Sequence, residues 1–156
     1  VSRVATLEVD RRIDLSAERG VSAWGIDRLD QTTPSQNFRF NFPMTGQSVS
    51  AYVIDSGIRS THQEFGDRVA AGFTAINDGN GTQDCNGHGT HVAGIIGGEQ
   101  YGVAPEVSLV PVRVMDCNGA GLLSGLLAAI DWVAQDVGPA DRAVVNLSLG
   151  AGASPS

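Results

Sequence analysis

Two short segments constrain the fold of this chain more than any other feature. The first, AYVIDSGI at Ala51–Ile58, is an apolar run that predicts a buried strand ending on Asp55. The second, NGHGTHVAGIIGG at Asn86–Gly98, places His88 between two glycines at the start of a helical apolar pattern. A carboxylate at a strand end and an imidazole at a helix start are two members of an acid–base–nucleophile constellation. In such a constellation the carboxylate orients the ring, and the ring accepts the proton of the nucleophile.

The order of the apolar patterns predicts an α/β fold with a parallel sheet. Strands are expected at Val49–Ile54, Arg68–Phe73, Val107–Val114 and Ala143–Leu149, and helices at His88–Gly97 and Leu122–Val137. A surface loop is expected at Asp78–Gly87. The second helix should bury the side formed by Leu122, Leu126, Leu127, Ile130 and Val133. Because right-handed crossovers join the strands of such a sheet, Asp55 and Gly150 should both lie at its carboxyl edge, where ligand chemistry gathers.

The histidine block allows two other interpretations. His88 and His91 are three residues apart and could hold a metal together with Asp55, although Gly89 and Thr90 stand where a zinc protease helix carries a glutamate. Both histidines could instead be ordinary core or capping residues. The glycines on both sides of His88 indicate that another part of the molecule approaches it closely.

Composition limits the partners of the chain. With 156 residues, of which 42% are apolar, it has enough material for about one domain. The net charge of −7 argues against a nucleic-acid partner. No apolar run reaches the roughly 20 residues that span a membrane, so no membrane partner is expected. The chain begins at Val1 without a signal-peptide pattern and looks like a piece of a longer precursor.

Two cysteines, Cys85 and Cys117, each lie in an Asp-Cys-Asn-Gly sequence that is typical of a turn. They could form one disulfide or remain two buried thiols. A metal site is less favoured because no C-x-x-C pair occurs. A bridge would indicate an oxidising compartment.

The first segment, Val1–Gly20, differs from the rest because charged and apolar residues alternate through it. This pattern is roughly that of a short amphipathic strand followed by a linker. From Trp24 onward the pattern becomes globular.

The two opening segments resemble the first two signature blocks of the subtilase family of serine proteases. The resemblance is nearest to the proteinase K-like branch, and within it to aqualysin-type enzymes, and it extends over nearly all of Trp24–Gly152. It is carried by WGIDRLDQ, QDCNGHGTHVAG, YGVAP and RVMDCNGAG, which begin at Trp24, Gln83, Tyr101 and Arg113.

This resemblance implies a three-layer subtilisin-like α/β fold with a parallel sheet, of which residues 21–156 are the N-terminal half. It also implies a secreted serine endopeptidase that cleaves peptide or protein substrates through an acyl-enzyme. Asp55 would orient His88, the general base, whereas His91 would be a buried structural residue and His62 would hold a structural position. Residues 1–20 would be the C-terminal tail of an inhibitory prosegment, which would make the prosegment a partner, or else a solvated N-terminal arm.

The resemblance further implies a substrate cleft, a disulfide and a calcium site. The implied substrate-binding residues are Gly119, Ala120, Gly121, Leu122, Ser148, Leu149 and Gly150. Taken alone, these strips could be a turn into a helix and an ordinary strand end. Cys85 and Cys117 match a disulfide of the family. Asp27, Asp30 and Gln31 match a calcium site, and oxygen ligands of this kind suit calcium; the alternative is a surface turn whose acids cap or pair with Arg28.

Two blocks of the family are absent from the 156 residues: the G-T-S-M-A block with the nucleophilic serine and the A-A-G-N block with the oxyanion asparagine. Asn146 does not replace that asparagine, because its surroundings match a strand. We therefore predict that this chain alone is inactive. The alternatives are a non-catalytic pseudoprotease or peptide-binding module, and a complete small α/β ligand-binding domain. The second is weakened by the absence of a G-x-G-x-x-G or P-loop string.

Overall fold

The computed structural model describes residues 17–21, 23–42 and 44–150. The strands are β1 (Ala17–Gly20), β2 (Arg39–Phe42), β3 (Ser50–Asp55), β4 (Phe73–Thr74), β5 (Ser108–Arg113) and β6 (Ala143–Leu147). The helices are α1 (Trp24–Asp27), which continues into a 3₁₀ turn (Arg28–Asp30), α2 (His88–Gly97) and α3 (Leu123–Asp136). The main sheet is parallel and has the order β4-β5-β3-β6.

Strand β3 is buried on both faces because its residues are almost all apolar. Ala51 and Val53 belong to a core cluster on one side of the sheet, and Tyr52 and Ile54 to a cluster on the other. A parallel strand of this kind needs a covering layer on each face. The alternation along β3 therefore requires a three-layer arrangement.

The two long helices supply those layers. Helix α2 contributes the buried Ala93 to the cluster that contains Val53. Helix α3 contributes Ala129 and Val133 to the cluster that contains Ile54. The observed architecture is the predicted α/β fold with a parallel sheet.

The apolar side predicted for the second helix is wrong in part. Leu126 and Val133 do pack toward the sheet, but Leu127 and Ile130 are 55% and 42% exposed, and Leu122 precedes the helix and is 75% exposed. The sheet is contacted by positions three and four apart, and Leu127 lies about 100° around the helix from Leu126. Because Leu126 and Leu127 are equally apolar, the sequence pattern did not show which of them faces the sheet.

Strand β6 also carries exposed apolar residues. Val144, Val145 and Leu147 are 54%, 46% and 45% exposed. Within the described ranges β6 pairs with β3 alone and forms one end of the sheet. These side chains leave an apolar surface along β6.

The strand predicted at Arg68–Phe73 is interrupted. Val69 forms an isolated bridge with Leu109, and pairing with β5 resumes only at β4. Pro111 lies between these two points on β5, on the same alternation as Leu109. Because proline has no backbone N–H, it cannot donate to the neighbouring strand, and the ladder breaks there.

The N-terminal part of the described chain forms a small second sheet. Strands β1 and β2 pair in antiparallel fashion, with Ala17 opposite Phe42 and Gly20 opposite Arg39. Val21, Ile26 and Phe40 form a separate small core beside it. The sequence patterns did not predict α1 or β2. The strand-and-linker pattern at Val1–Gly20 lies outside the described residues except for β1.

Candidate active site

Asp55 is the last residue of β3 and is fully buried at the carboxyl edge of the sheet. Its neighbour in register on β5 is Arg113, which is also fully buried. The Asp55 oxygen Oδ1 accepts a hydrogen bond of 2.7 Å from the backbone N–H of Ser56. This bond holds the carboxylate against its own strand end and leaves it facing the start of α2.

His88 is the first residue of α2, and its ring meets Asp55. The Nδ1 atom lies 2.8 Å from Oδ1 and 2.9 Å from Oδ2 of Asp55. The side chain of His88 is 49% exposed, whereas that of Asp55 is 0% exposed. With Asp55 ionised, Nδ1 carries the hydrogen, and Nε2 is the nitrogen available for proton transfer. The structure therefore brings together the two residues that the sequence singled out.

Gly89 allows α2 to approach the end of β3 closely, and Gly57 allows the loop before α2 to do the same. A Cβ atom on Gly89 would lie 2.2 Å from the carbonyl oxygen of Gly57 and 3.1 Å from Oδ1 of Asp55. Gly57 itself has a φ of +103°, and a Cβ there would lie 2.5 Å from the carbonyl oxygen of Thr82. The glycine after His88 is thus required by the close approach that the sequence indicated.

The other histidines do not join this site. His91 was expected to be buried, but it is exposed, because its position one turn along α2 faces away from the sheet. The Nδ1 atom of His62 accepts a bond of 3.3 Å from the N–H of Glu64, and its ring packs on Phe65. Among the described residues, His88, His91 and Asp55 do not form a cluster with metal-ligand spacing. The interpretation of the block as a metal site is therefore wrong.

The loop that leads into His88 is tied down by a disulfide and a buried arginine. Cys85 and Cys117 are bonded, with Cα atoms 4.9 Å apart. Arg113 donates to both oxygens of Asp78 at 2.7 and 2.6 Å, and its Nη2 lies 3.3 Å from the sulfur of Cys85. The Arg113 guanidinium holds the pKa of the Asp78 carboxyl well below its ordinary value of 3.8.

Asp78 and the two cysteines are close enough to suggest a metal site by distance alone. The sulfurs are already bonded to each other, and the carboxylate already pairs with Arg113, which carries a positive charge. A bridged cysteine offers no thiolate to a metal. This cluster is therefore structural.

A cleft of about 550 Å³ lies between the two strips predicted to bind substrate. One wall is formed by the run Gly119–Leu122 and the other by Leu149 and Gly150. A Cβ on Gly121 would lie 2.2 Å from the carbonyl oxygen of Val114, so the strip is held against the end of β5. Ser148 does not line this cleft, and its hydroxyl donates to Oδ1 of Asn146 at 2.9 Å.

The three residues predicted to bind calcium lie beside the small second sheet. Asp27 is 1% exposed, and its Oδ1 accepts the N–H of Arg39 at 3.1 Å. The other oxygen of Asp27 and Oε1 of Gln31 are buried acceptors without a hydrogen-bond partner among the described residues. Asp30 accepts the backbone and side-chain N–H groups of Asn41, both at 2.9 Å, and these bonds hold its pKa below the ordinary 3.8.

These features define a class of protein: an α/β protein with a histidine held against a buried carboxylate at the carboxyl edge of a parallel sheet. A cleft adjoins this edge, because Val114 and Met115 of its lining donate their N–H groups to the carbonyl of Asp55. The contact of His88 with Asp55 has the geometry of the acid–base pair in a catalytic triad. Comparison with known families identifies the class more closely. Residues 46–156 match the family model described as the subtilase family, peptidase S8, and the chain belongs to that family.

Curated relatives and a solved structure agree with this membership. The chain is 52% identical over 153 residues to an extracellular serine proteinase of Thermus sp. strain Rt41A, a match that covers 97% of this chain and 37% of the relative. It is 46% identical over 151 residues to alkaline serine exoprotease A of Vibrio alginolyticus, covering 95% of this chain and 27% of the relative. The crystal structure of a cold-adapted subtilisin-like serine proteinase superposes with a TM-score of 0.78 at 48% identity, covering 85% of this chain and 48% of that one.

The chain therefore spans about a third of the length of these curated relatives and about half of the solved structure. The described part of this chain has the subtilisin-like α/β fold, and it corresponds to about half of that solved structure. None of the helices described in the chain has the length and apolar character needed to cross a membrane.

Proposed function

We propose that residues 21–156 are the N-terminal half of the catalytic domain of a secreted subtilisin-like serine endopeptidase. The observation that carries the proposal is the contact of His88 Nδ1 with both oxygens of Asp55 at the sheet edge. In the whole enzyme, Nε2 of His88 takes the hydroxyl proton of a serine outside this chain as that oxygen attacks the substrate carbonyl. The proton then passes to the leaving amine, and water releases the acyl group by the same route.

The cleft supports a peptide or protein as the substrate. The run Gly119–Gly121 has one alanine between two glycines, so its backbone is accessible to an extended peptide that adds as a strand. Leu122 and Leu149 make the cleft mainly apolar, which favours apolar side chains of the substrate. Ser148 lies outside the lining of the cleft, and its proposed role in substrate binding rests on the family resemblance alone.

The function is tested by a fusion enzyme in which residues 1–150 of this chain are joined to the corresponding C-terminal part of the Thermus proteinase. We expect the fusion enzyme to hydrolyse a chromogenic peptide anilide, and the His88→Ala variant to lose nearly all of this activity. His91→Ala is the matched control, because His91 is an exposed histidine on the same helix. A folded fusion enzyme that is equally active with and without His88 would overturn the proposal.

We further propose that the 156-residue chain by itself hydrolyses no peptide or ester above background. Without a nucleophile and an oxyanion donor, His88 has no proton to move. The purified chain should be assayed with the same peptide, with and without calcium. Turnover that disappears in His88→Ala would contradict this, since it would require a serine within the chain, such as Ser148 or Ser154.

We propose calcium as a structural ion held near Asp27, Asp30 and Gln31. Two buried acceptor atoms in this group, Oδ2 of Asp27 and Oε1 of Gln31, are without a hydrogen-bond partner among the described residues. An oxygen donor set with two carboxylates fits calcium. Arg28 donates to the carbonyl of Thr33. Asp27 and Asp30 each accept a backbone N–H group, so these acids cap the turn in addition to their proposed role as calcium ligands.

We propose secretion and a prosegment from the same relationship. The disulfide suits an oxidising compartment, and the Thermus relative is named as extracellular. The proposed prosegment tail is residues 1–20, and residues 21–156 are the proposed part of the catalytic domain. N-terminal sequencing of the protein recovered from a culture medium tests both points: a start near residue 21 supports them, and retention of Val1–Gly20 argues against cleavage there.

A further inference from the structure

Helix α2 begins without a capping side chain at its own N-cap position. That position is Gly87, with a φ of +108° and no side-chain hydrogen bond. The first N–H groups of a helix need partners, and here they come from elsewhere in the chain. The N–H of Gly89 donates to Oγ of Ser56 at 3.0 Å, and the N–H of Thr90 donates to Oδ2 of Asp84 at 3.0 Å.

Asp84 is the centre of this arrangement. Its Oδ1 accepts the N–H groups of Asn86 and Gly87 and the hydroxyl of Ser56, each at 2.9 Å. Its Oδ2 accepts the N–H and the hydroxyl of Thr90 at 3.0 and 2.5 Å. One carboxylate thus satisfies donors from the loop, from helix α2 and from the residue that follows β3.

The contacts close a ring around the proposed base and its orienter. Ser56 donates its hydroxyl to Asp84 and its backbone N–H to Asp55, and it accepts the N–H of Gly89. Asp55 contacts His88, which immediately precedes Gly89 on α2. Ser56 is 0% exposed and Asp55 is 0% exposed, so the ring is shielded from water on the side of the sheet.

The charge of Asp84 suits its place. Burial alone would raise the pKa of the Asp84 carboxyl, but the hydrogen bonds from Gly87, Thr90 and Asn86 together hold it below the ordinary 3.8. The group is therefore ionised at neutral pH. A negative charge is stabilising at the N-terminal end of a helix, where the dipole is positive.

The chain contains a natural comparison for Asp84. Asp116 lies in an identical Asp-Cys-Asn-Gly block at the other end of the disulfide, and its Oδ1 accepts the N–H of Asn118 at 2.9 Å, as Asp84 accepts that of Asn86. A further hydrogen bond, from the N–H of Ala120 at 2.9 Å, stays within its own loop. Both blocks therefore form the same local turn. The hydrogen bonds to Ser56 and to Thr90 of α2 are made by Asp84.

We propose that Asp84 is a positioning residue, which locks the N-terminus of α2 to the end of β3 and so fixes the ring of His88 against Asp55. The inference rests on the proposed role of His88 as the base. Asp84 acts through Ser56 and Thr90 and does not touch the reacting atoms.

The test reads the state of the His88 ring and needs no activity. Ring nitrogen-15 NMR spectra of the full chain near neutral pH distinguish the tautomer with hydrogen on Nδ1 from the one with hydrogen on Nε2. The variants are Asp84→Asn, which keeps the size but loses the charge and one acceptor, Ser56→Ala, and the matched control Asp116→Asn. Backbone amide spectra of β3 and β6 show whether each variant is folded.

In the wild type and in Asp116→Asn we expect neutral His88 to be almost entirely in the Nδ1–H form. In Asp84→Asn the ratio of the Nδ1–H tautomer to the Nε2–H tautomer should fall about tenfold. This is the scale expected when a hydrogen bond to a charged group is lost. Ser56→Ala should shift the tautomer ratio in the same direction. If Asp84→Asn does not fold, the ratio measured in Ser56→Ala tests the positioning role instead.

Failure of this proposal is separable from failure of the proposed function. If wild-type His88 does not favour the Nδ1–H form, the pairing with Asp55 fails, and the proposed function with it. If the wild type favours that form and the folded Asp84→Asn or Ser56→Ala variant keeps the same ratio, the positioning role of Asp84 is overturned while the proposed base remains. A fall of equal size in Asp116→Asn would also overturn it.

Discussion

Replacing Gly89 by alanine should separate the helix that carries His88 from the strand that carries Asp55. The added Cβ would lie 2.2 Å from the carbonyl oxygen of Gly57, and side-chain carbons rarely approach an oxygen closer than 3.0 Å. Either α2 or the turn after β3 must therefore move by about 1 Å. His88 precedes Gly89 on α2 and Asp55 precedes the turn, so a shift of this size in either element would break their contact of 2.8 Å.

A matched control lies on the same helix. Within the part of the chain that the structure describes, a Cβ on Gly94 would meet nothing within 4 Å, so Gly94→Ala adds no clash there. Both substitutions gain up to about 1 kcal/mol from the better helix propensity of alanine. That gain cancels in the comparison, and the cost of overpacking remains. We expect Gly89→Ala to be less stable than Gly94→Ala by about 1–3 kcal/mol.

The assay is urea-induced unfolding followed by far-ultraviolet circular dichroism, with equal dependence on denaturant checked for all three proteins. Gly94→Ala should be as stable as the wild type or more stable. Ring nitrogen-15 spectra of Gly89→Ala should show that the Nδ1–H tautomer of His88 is no longer dominant. If Gly89→Ala were as stable as Gly94→Ala and kept the tautomer, the close approach of α2 to β3 would be refuted.

Three further predictions concern the framework of the site. Replacing Cys85 and Cys117 together by serine should lower the free energy of unfolding by about 3.7 kcal/mol, the chain-entropy value for a separation of 32 residues; a loss below about 1 kcal/mol would contradict it. Burial and the hydrogen bond to Asp136 raise the pKa of Tyr52 to about 12 from 10.0. The stability that the neutral phenol contributes is therefore full below pH 10 and lost as the pH rises to 12. The urea stability of Tyr52→Phe should fall less than that of the wild type over this interval, and parallel curves would show that Tyr52 contributes nothing. Millimolar calcium should raise the melting temperature of the wild type but not of Asp27→Asn, and equal rises in both would place the ion elsewhere.

The central elements could be predicted from the sequence because their patterns are strong and local. The boundaries of α2 at His88 and Gly97 were predicted to the residue, and β3 was predicted within one residue at each end. The pairing of Asp55 with His88 was implied by the resemblance to the two subtilase blocks, and the rule that the carboxyl ends of parallel strands share one edge predicted the place of Asp55. Gly89 correctly indicated a close approach, whereas a Cβ on Gly87 would meet nothing within 4 Å among the described residues.

Other features depend on contacts between distant parts of the chain. The side of α3 that packs on the sheet could not be chosen, because Leu126 and Leu127 are equally apolar and only one of them faces the core. His91 was expected to be buried and is exposed, because the helix has only one face toward the sheet. Pro111 causes the break between Val69 and β4. The sequence could not predict this break without showing that the segment Arg68–Phe73 pairs with the strand that contains Pro111.

The role of Asp84 illustrates the same limit. Its Asp-Cys-Asn-Gly block occurs twice, and sequence alone predicts the same turn at both places. The hydrogen bonds to Ser56 and Thr90 distinguish the two blocks, and the first of these spans 28 residues. Residues that act through long-range hydrogen bonds leave no periodic pattern, so the structure is needed to find them.

The central claim is that Asp55 orients His88 for proton transfer, and the kinetic constants of the fusion enzyme with Asp55→Asn test it most directly. An asparagine preserves the size of the side chain but can favour the wrong tautomer of the ring. We predict that kcat falls by roughly 10⁴-fold, that KM changes little, and that the melting temperature stays close to that of the unsubstituted fusion enzyme. A correctly folded Asp55→Asn enzyme whose kcat falls by less than about tenfold would contradict the claim.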